Sequence, residues 1–196
     1  MKTTGLYFGS FNPVHIGHVS LAQSMVDKLD LDHLKIVVSP QNPLKASTDL
    51  APENDRLEMV RLAIAHESRI EASDIEFSLP RPSYTANTLK HLTRVYPNDK
   101  FIVILGEDIK ENFHRWRNFE WILENFPIRL YPRDHGDFSS SPIQWERYDV
   151  SLVDAPRVDV SSTQVRSNFK MGISNERLIP EAVLDYILSK NLYQPQ

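Results

Sequence analysis

Thr3-Thr4-Gly5-Leu6-Tyr7-Phe8-Gly9-Ser10-Phe11-Asn12-Pro13-Val14-His15-Ile16-Gly17-His18 decides how the chain is read. Thr3–Phe8 is a short apolar run that reads as a buried strand, and Gly9–Val14 reads as the loop after it. From Ile16 to Leu29, Val19, Ala22, Val26 and Leu29 share one face at helical spacing. A strand, a loop and a helix in this order open a parallel α/β sheet, whose ligands bind at the carboxyl ends of the strands. His15 and His18 stand three apart where the helix starts, so they project from one side. Amides at a helix N-terminus favour phosphate there. Gly9 lets backbone approach a ligand closely, and Gly17 leaves room between the imidazoles. Imidazole N–H groups donate to phosphoryl oxygens and stabilise charge that develops in a pentavalent transition state. One histidine alone would read as an ordinary surface residue; the whole constellation reads as a phosphate site.

The same alternation continues along the chain. Leu34–Val38 is a β-branched strand stopped by Ser39-Pro40, and Asn54–His66 is a helix with Leu57, Val60 and Ile64 facing inward. A strand is expected around Ile70–Ile75, then a Pro-rich loop at Leu79–Pro82, then a helix from Ser83 or Tyr84 to Tyr96. Phe101–Leu105 is the clearest buried strand. Asp108–Phe126 reads as one or two helices rich in aromatics. Ile128–Tyr131 is another strand, Pro132–Ser141 a polar loop, and Val150–Val153 a last strand. Ser161–Met171 is a helix ended by Gly172, and Pro180–Lys190 carries an amphipathic stripe of Val183, Leu184, Ile187 and Leu188. Strands alternating with helices predict a Rossmann-like, doubly wound parallel sheet covered on both faces. With no repeat or linker to divide it, the chain reads as a single domain, 1–196, with C-terminal helices.

Bulk properties exclude several classes. At 196 residues, 41% hydrophobic and 24% charged, the chain has the profile of a globular domain with a real core. No apolar run approaches the length of a membrane span. The first residues pass directly into strand without a signal-peptide pattern, so a cytoplasmic location is expected. Absence of cysteine removes disulfides, cysteine nucleophiles and thiolate metal sites. A formal charge of −4 argues against a dedicated nucleic-acid binder, but a small anionic substrate needs only local positive charge.

A second motif, Val160-Ser161-Ser162-Thr163-Gln164-Val165-Arg166, opens a late helix. Taken alone, Ser161–Thr163 would be simple caps. Beside the first motif, their hydroxyls and amides make an anion site that Arg166, three residues past Thr163, can close over. Together the two motifs resemble the HxGH nucleotidyltransferase superfamily, whose patterns are G-x-F-D/N-P-x-H-x-G-H and I-S-S-T-x-I/V-R. His15-Ile16-Gly17-His18 also matches the signature of class I aminoacyl-tRNA synthetases, but Lys170-Met171-Gly172 is not their Lys-Met-Ser-Lys-Ser loop. Asn12 replaces the commoner aspartate, which argues against a general base at that position.

The segments between resemble bacterial nicotinate-mononucleotide adenylyltransferases. Pro40-Gln41-Asn42-Pro43-Leu44-Lys45 is similar to their P-x-x-P-H/F-K loop. Arg56–Ile64 is similar to the structural helix after it. Ser83-Tyr84-Thr85-Ala86-Asn87-Thr88-Leu89 is similar to S-Y-T-x-D-T-L, with Asn87 in place of aspartate. Gly106-Glu107-Asp108 is similar to G-A-D, and Phe113-His114-Arg115-Trp116 to F-x-x-W. Ile179–Ile187 with Leu192-Tyr193 is similar to the closing segment, so the likeness runs from Leu6 to Tyr193.

This resemblance implies adenylyl transfer from ATP to nicotinate mononucleotide, giving nicotinate adenine dinucleotide and pyrophosphate. It implies catalytic roles for His15, His18 and Arg166. ATP contacts are implied for Gly9, Ser10, Phe11, Gly17, Lys45, Gly106, Asp108, Ser162 and Thr163. Thr85 would help hold the nicotinate carboxylate, and Trp116 would offer an indole face to the pyridine ring. Phe113, Phe119, Trp121 and Phe126 are read as core, and Arg133 as a further candidate. Mg²⁺ is expected to arrive with ATP, with no dedicated protein metal site and no nucleic-acid or membrane partner. Phosphopantetheine adenylyltransferase shares both end motifs but lacks the S-Y-T and F-x-x-W elements. A non-catalytic nucleotide sensor of the same fold is the other alternative. The sequence carries no signal of oligomeric state.

Overall fold

The computed structural model describes residues 1–41, 50–133, 141–157 and 159–194. Six strands, β1 (Thr3–Gly9), β2 (His33–Val38), β3 (Ile70–Ser73), β4 (Lys100–Gly106), β5 (Ile128–Tyr131) and β6 (Val150–Leu152), form one sheet. Their spatial order is β3-β2-β1-β4-β5-β6, and every pairing is parallel. Among the described residues, six α-helices connect or follow them: α1 (Ile16–Lys28), α2 (Glu53–Ala63), α3 (Thr85–Val95), α4 (Phe119–Asn125), α5 (Ser162–Lys170) and α6 (Glu181–Ser189).

Strand periodicity sorts side chains to the two faces. Leu6, Val37, Val103, Leu105 and Leu130 point into a core with Leu89 and Leu92 of α3 and Ile122 of α4. Their neighbours Tyr7, Ile36, Val38, Ile104 and Tyr131 point the other way, against Met25 and Val26 of α1, Val60 of α2, Val165 of α5 and Val183 and Ile187 of α6. Both faces are therefore dry, which explains why the strands read as nearly continuous apolar runs. The winding reverses between β1 and β4, and the crevice at their carboxyl ends is where a ligand is accommodated in such sheets.

Helix ends follow their local sequences. Gly172 takes φ 68° after α5, its N–H reaches the Phe169 carbonyl at 3.2 Å, and the Ile173 N–H reaches that of Asn168 at 2.9 Å. That pair of bonds is the Schellman closure glycine favours. The expected helix Asn54–His66 is α2, one residue earlier at its start and three shorter at its end. Beyond Ala63 the amides of Ala65 and Glu67 bond three residues back, to Leu62 and Ile64, so the last turn tightens and stops. The expectation of helices across Asp108–Phe126 is corrected further. Glu107–Glu111 and Phe113–Arg115 are 3-10 turns, and only α4 is helical. Trp116 turns to extended backbone and Asn118 to left-handed backbone at φ 57°, because Phe113 is drawn fully into the core. Ile75–Ser78 is a further 3-10 turn that the sequence did not announce.

Arg56, on the first turns of α2, is 1% exposed. Its guanidinium donates to four backbone carbonyls: Ser10 and Ser39 at 2.7 Å, Ala51 at 2.9 Å and Pro40 at 3.1 Å. It joins the turn after β1 to the segment after β2 and to the start of α2. Removing it takes the donor from four carbonyls, three in part-buried bonds and one in a buried bond, and each unmet buried group costs about 1–3 kcal/mol. Arg56→Leu is expected to lower the unfolding free energy in urea by about 3–5 kcal/mol. A loss under about 1 kcal/mol would show that water replaces the guanidinium.

Candidate active site

A cleft of about 790 Å³ opens at the carboxyl ends of β1 and β4. Its floor is the turn after β1, from Gly9 to Asn12, with His15 and His18 beside it. A β-carbon at Gly9 would lie 2.8 Å from the Phe11 ring, so glycine is what lets that ring fold back under the turn. Phe11 takes φ 46°, is 3% exposed and meets the rings of Tyr7 (5.4 Å) and His18 (5.0 Å) edge-on. Besides lining the cleft, it backs the second histidine.

His15 is the N-cap of α1, and the two imidazoles stack with centroids 3.6 Å apart and planes 30° from parallel. The His15 backbone N–H donates to Nδ1 of His18 at 3.2 Å. A neutral ring that accepts at Nδ1 carries its proton on Nε2, and so has a donor there. Nδ1 of His15 is buried without a hydrogen-bond partner. Burial, and then the nearby Arg133 guanidinium, hold the His15 ring at a pKa of about 4. It is therefore neutral at pH 7. The first amide of α1, that of Ile16, is taken up by the Leu178 carbonyl at 3.0 Å. Gly17 is buried within α1 and, unlike the histidines around it, is not on the cleft wall.

One end of the cleft is the start of α5. Ser161 caps the helix by accepting the Gln164 N–H at 3.1 Å. The Ser162 hydroxyl donates to the Pro13 carbonyl at 2.8 Å, which docks α5 onto the first motif. Arg166 donates from Nη1 to the Asn12 carbonyl at 2.8 Å and from Nη2 to Thr163 Oγ1 at 3.5 Å. Thr163 and Arg166 thus line the same cleft as the histidines.

The other wall comes from β4, β5 and α3. Asp108 pairs with Arg133 at 3.2 Å over Gly106, where a β-carbon would collide with the Asp108 carboxyl and sit 2.8 Å from Cδ of Arg133. Glu107 pairs with Lys110 at 3.6 Å. Thr85 opens α3 after the N-cap Tyr84, and both line the cleft. Trp116 stacks on Phe113 at 4.9 Å and 30°, with its indole N–H buried and without a hydrogen-bond partner. Phe113 and Phe126 are core as read; Phe119 and Trp121 are only partly buried against it.

Gly9, Ser10, Phe11, His15, His18, Thr85, Gly106, Asp108, Trp116, Ser162, Thr163 and Arg166 therefore share one cleft. Lys45 lies outside the described residues, as do most of its loop and much of 132–144. The reading missed Arg115 and Arg117, which flank Trp116 on the wall; the Arg117 guanidinium sits 5.0 Å over the Tyr84 ring. Two cations bracketing an indole were the available signal. Among the described residues no group of three or more His, Asp or Glu is placed to hold a metal, and no helix is long and apolar enough to cross a membrane.

Residues 6–168 match the cytidylyltransferase-like family. A Flavobacterium johnsoniae protein named as a probable nicotinate-nucleotide adenylyltransferase is 44% identical over 195 residues, covering 97% of this chain and 98% of its own. A Cytophaga hutchinsonii protein of the same name is 43% identical, covering 96% and 97%. In fold, the chain superposes on Plasmodium falciparum nicotinic acid mononucleotide adenylyltransferase complexed with NaAD with a TM-score of 0.81, at 22% identity and 98% coverage of both. By its sequence, this chain belongs to the nicotinate-nucleotide adenylyltransferase family.

Proposed function

We propose that the chain, as a single 1–196 domain, transfers the adenylyl group of ATP to nicotinate mononucleotide, releasing pyrophosphate and forming nicotinate adenine dinucleotide for NAD synthesis. The observation that carries this reading is the convergence of His15 and His18 with Thr163 and Arg166 on one cleft whose far wall holds Thr85 and Trp116. The nucleophile is a phosphate oxygen of the mononucleotide, already ionised at neutral pH, so no general base is needed. It attacks the α-phosphorus in line, the oxygen–phosphorus bond to the β-phosphate breaks, and the electron pair leaves on pyrophosphate. The protein's part is positioning and charge stabilisation.

His18 donates from Nε2 to the α-phosphate as its charge grows, and the neutral His15 meets the same group. Gly9, Ser10 and Gly106 line the ATP end of the cleft, Asp108 takes ribose hydroxyls, and Lys45 adds charge over the phosphates. Thr163 and Arg166 receive the leaving pyrophosphate, with Ser162 fixing the helix that carries them. Mg²⁺ arrives as the counter-ion of ATP, held by phosphate oxygens and water. Thr85 and Trp116 hold the nicotinate ring, and the location is the cytoplasm.

Pyrophosphate release with ATP and Mg²⁺ tests the reading, with nicotinate mononucleotide, nicotinamide mononucleotide and phosphopantetheine offered in parallel. Turnover is expected with the first, and with nicotinamide mononucleotide at a clearly lower kcat/KM. Turnover with phosphopantetheine alone would overturn it, and ATP binding with no release would favour a sensor. His18→Ala is expected to lose about 10² to 10³ in kcat while the protein stays folded. Near-normal kcat would remove His18 from the chemistry.

His15 also links stability to pH. Its ring titrates near 4 in the folded chain against about 6.5 when unfolded, so as pH falls below 6.5 the unfolded state takes a proton that the folded state refuses. Its contribution is a loss of stability as pH drops through that window, about 2 kcal/mol between pH 7.5 and 5. Urea unfolding of His15→Gln is expected to show a correspondingly shallower loss than the parent. Equal losses would show that the ring is not held neutral.

A further inference from the structure

Several side chains meet the backbone of the turn after β1 at Asn12 and Pro13. The Asn12 carboxamide oxygen accepts from the Tyr193 hydroxyl at 2.7 Å and from the Ala51 N–H at 3.0 Å. The Asn12 carbonyl accepts from Arg166 at 2.8 Å, and the Pro13 carbonyl from Ser162 at 2.8 Å. Tyr193 follows α6 and has left-handed backbone, φ 63°, which a bulky residue adopts only where tertiary contacts hold it. Its ring lies 6.2 Å from that of Phe169 on α5, 26° from parallel. Burial pushes its phenol well above the ordinary value, so it stays protonated and donates throughout the working pH range. Tyr193 packs against the core at Phe169, and its hydrogen bond leads through Asn12 to Arg166.

We propose that Tyr193 is a positioning residue for the phosphate end of the cleft: its hydroxyl, acting through Asn12, fixes the carbonyl that aims Arg166. The inference rests on the adenylyl-transfer reading above. Arg166 is long and costly to order, and a carbonyl held from behind removes part of that cost before ligand arrives. The pyridine wall, built from Thr85 and Trp116 on other elements, does not share this support. Loss of the hydroxyl should therefore selectively weaken binding of the pyrophosphate part of ATP, which Arg166 receives.

The test is calorimetric titration of the full chain and of Tyr193→Phe with ATP–Mg²⁺, with pyrophosphate and with nicotinate mononucleotide, each alone. Binding of ATP and pyrophosphate is expected to weaken about three- to tenfold, the range of one lost hydrogen bond, with the mononucleotide changed less than twofold. In an Arg166→Lys background, Tyr193→Phe is expected to change ATP binding less than twofold, because the group it positions is already altered. Unchanged ATP and pyrophosphate binding, equal weakening of all three ligands, or full additivity with Arg166→Lys would each overturn the proposal. Should Tyr193→Phe not fold, Asn12→Asp, which keeps the acceptor, and Asn12→Ala, which removes it, read the same link. Selective loss in the alanine variant alone supports it, and any other pattern refutes it. A parent chain that binds ATP but makes no dinucleotide would defeat the proposed function while leaving this comparison intact.

Discussion

The backbone from Ser10 to Pro13 leaves the sheet, and its carbonyls are buried away from any strand partner. Buried carbonyls need donors, and here side chains supply them. Arg56 serves Ser10, Arg166 serves Asn12, and Ser162 serves Pro13. The Asn12 side chain in turn collects Ala51 and Tyr193. One short turn thereby draws together α2, α5 and the segment after α6, and holds His15 and His18 where α1 begins. Two of these donors, Ser162 and Arg166 of α5, also line the cleft, so meeting the carbonyls of the turn fixes one end of it.

The arrangement also explains how a chain of net charge −4 accommodates polyanions. Arg115, Arg117, Arg133 and Arg166 line the cleft against Asp108, and Arg56 lies behind the turn with carbonyls, not a carboxylate, on its guanidinium. Local field, not net charge, sets what such a pocket attracts. His15 stays neutral beside these cations, so its donor ability does not depend on an added proton. Asn12 fits the same logic. Its position asks for an acceptor between two donors, and a carboxamide meets that need without a base.

Much of this was legible in the sequence, and for identifiable reasons. Periods of two and 3.6 located the sheet and its covering helices, because both faces are dry and the apolar pattern is undiluted. The two phosphate motifs were legible because each is local: a strand, a turn and a helix start within a few residues. Contacts that depend on distant parts of the chain were not. Nothing near Asn12 announces Ala51 or Tyr193, and nothing in the helix bearing Arg56 announces four carbonyls. The stretch around Trp116 misread as helix because burying Phe113 outweighed local propensity. Gly17 was read as room for the imidazoles, yet they stack directly and it lies off the wall.

The most direct test of the account is to follow the α-phosphorus. With ATP radiolabelled at that atom and nicotinate mononucleotide as acceptor, all transferred label is expected in the dinucleotide, and pyrophosphate should be unlabelled. Label in AMP or ADP with none in the dinucleotide would mean that the bond broken, or the group that attacks it, is not the one the cleft is built to serve.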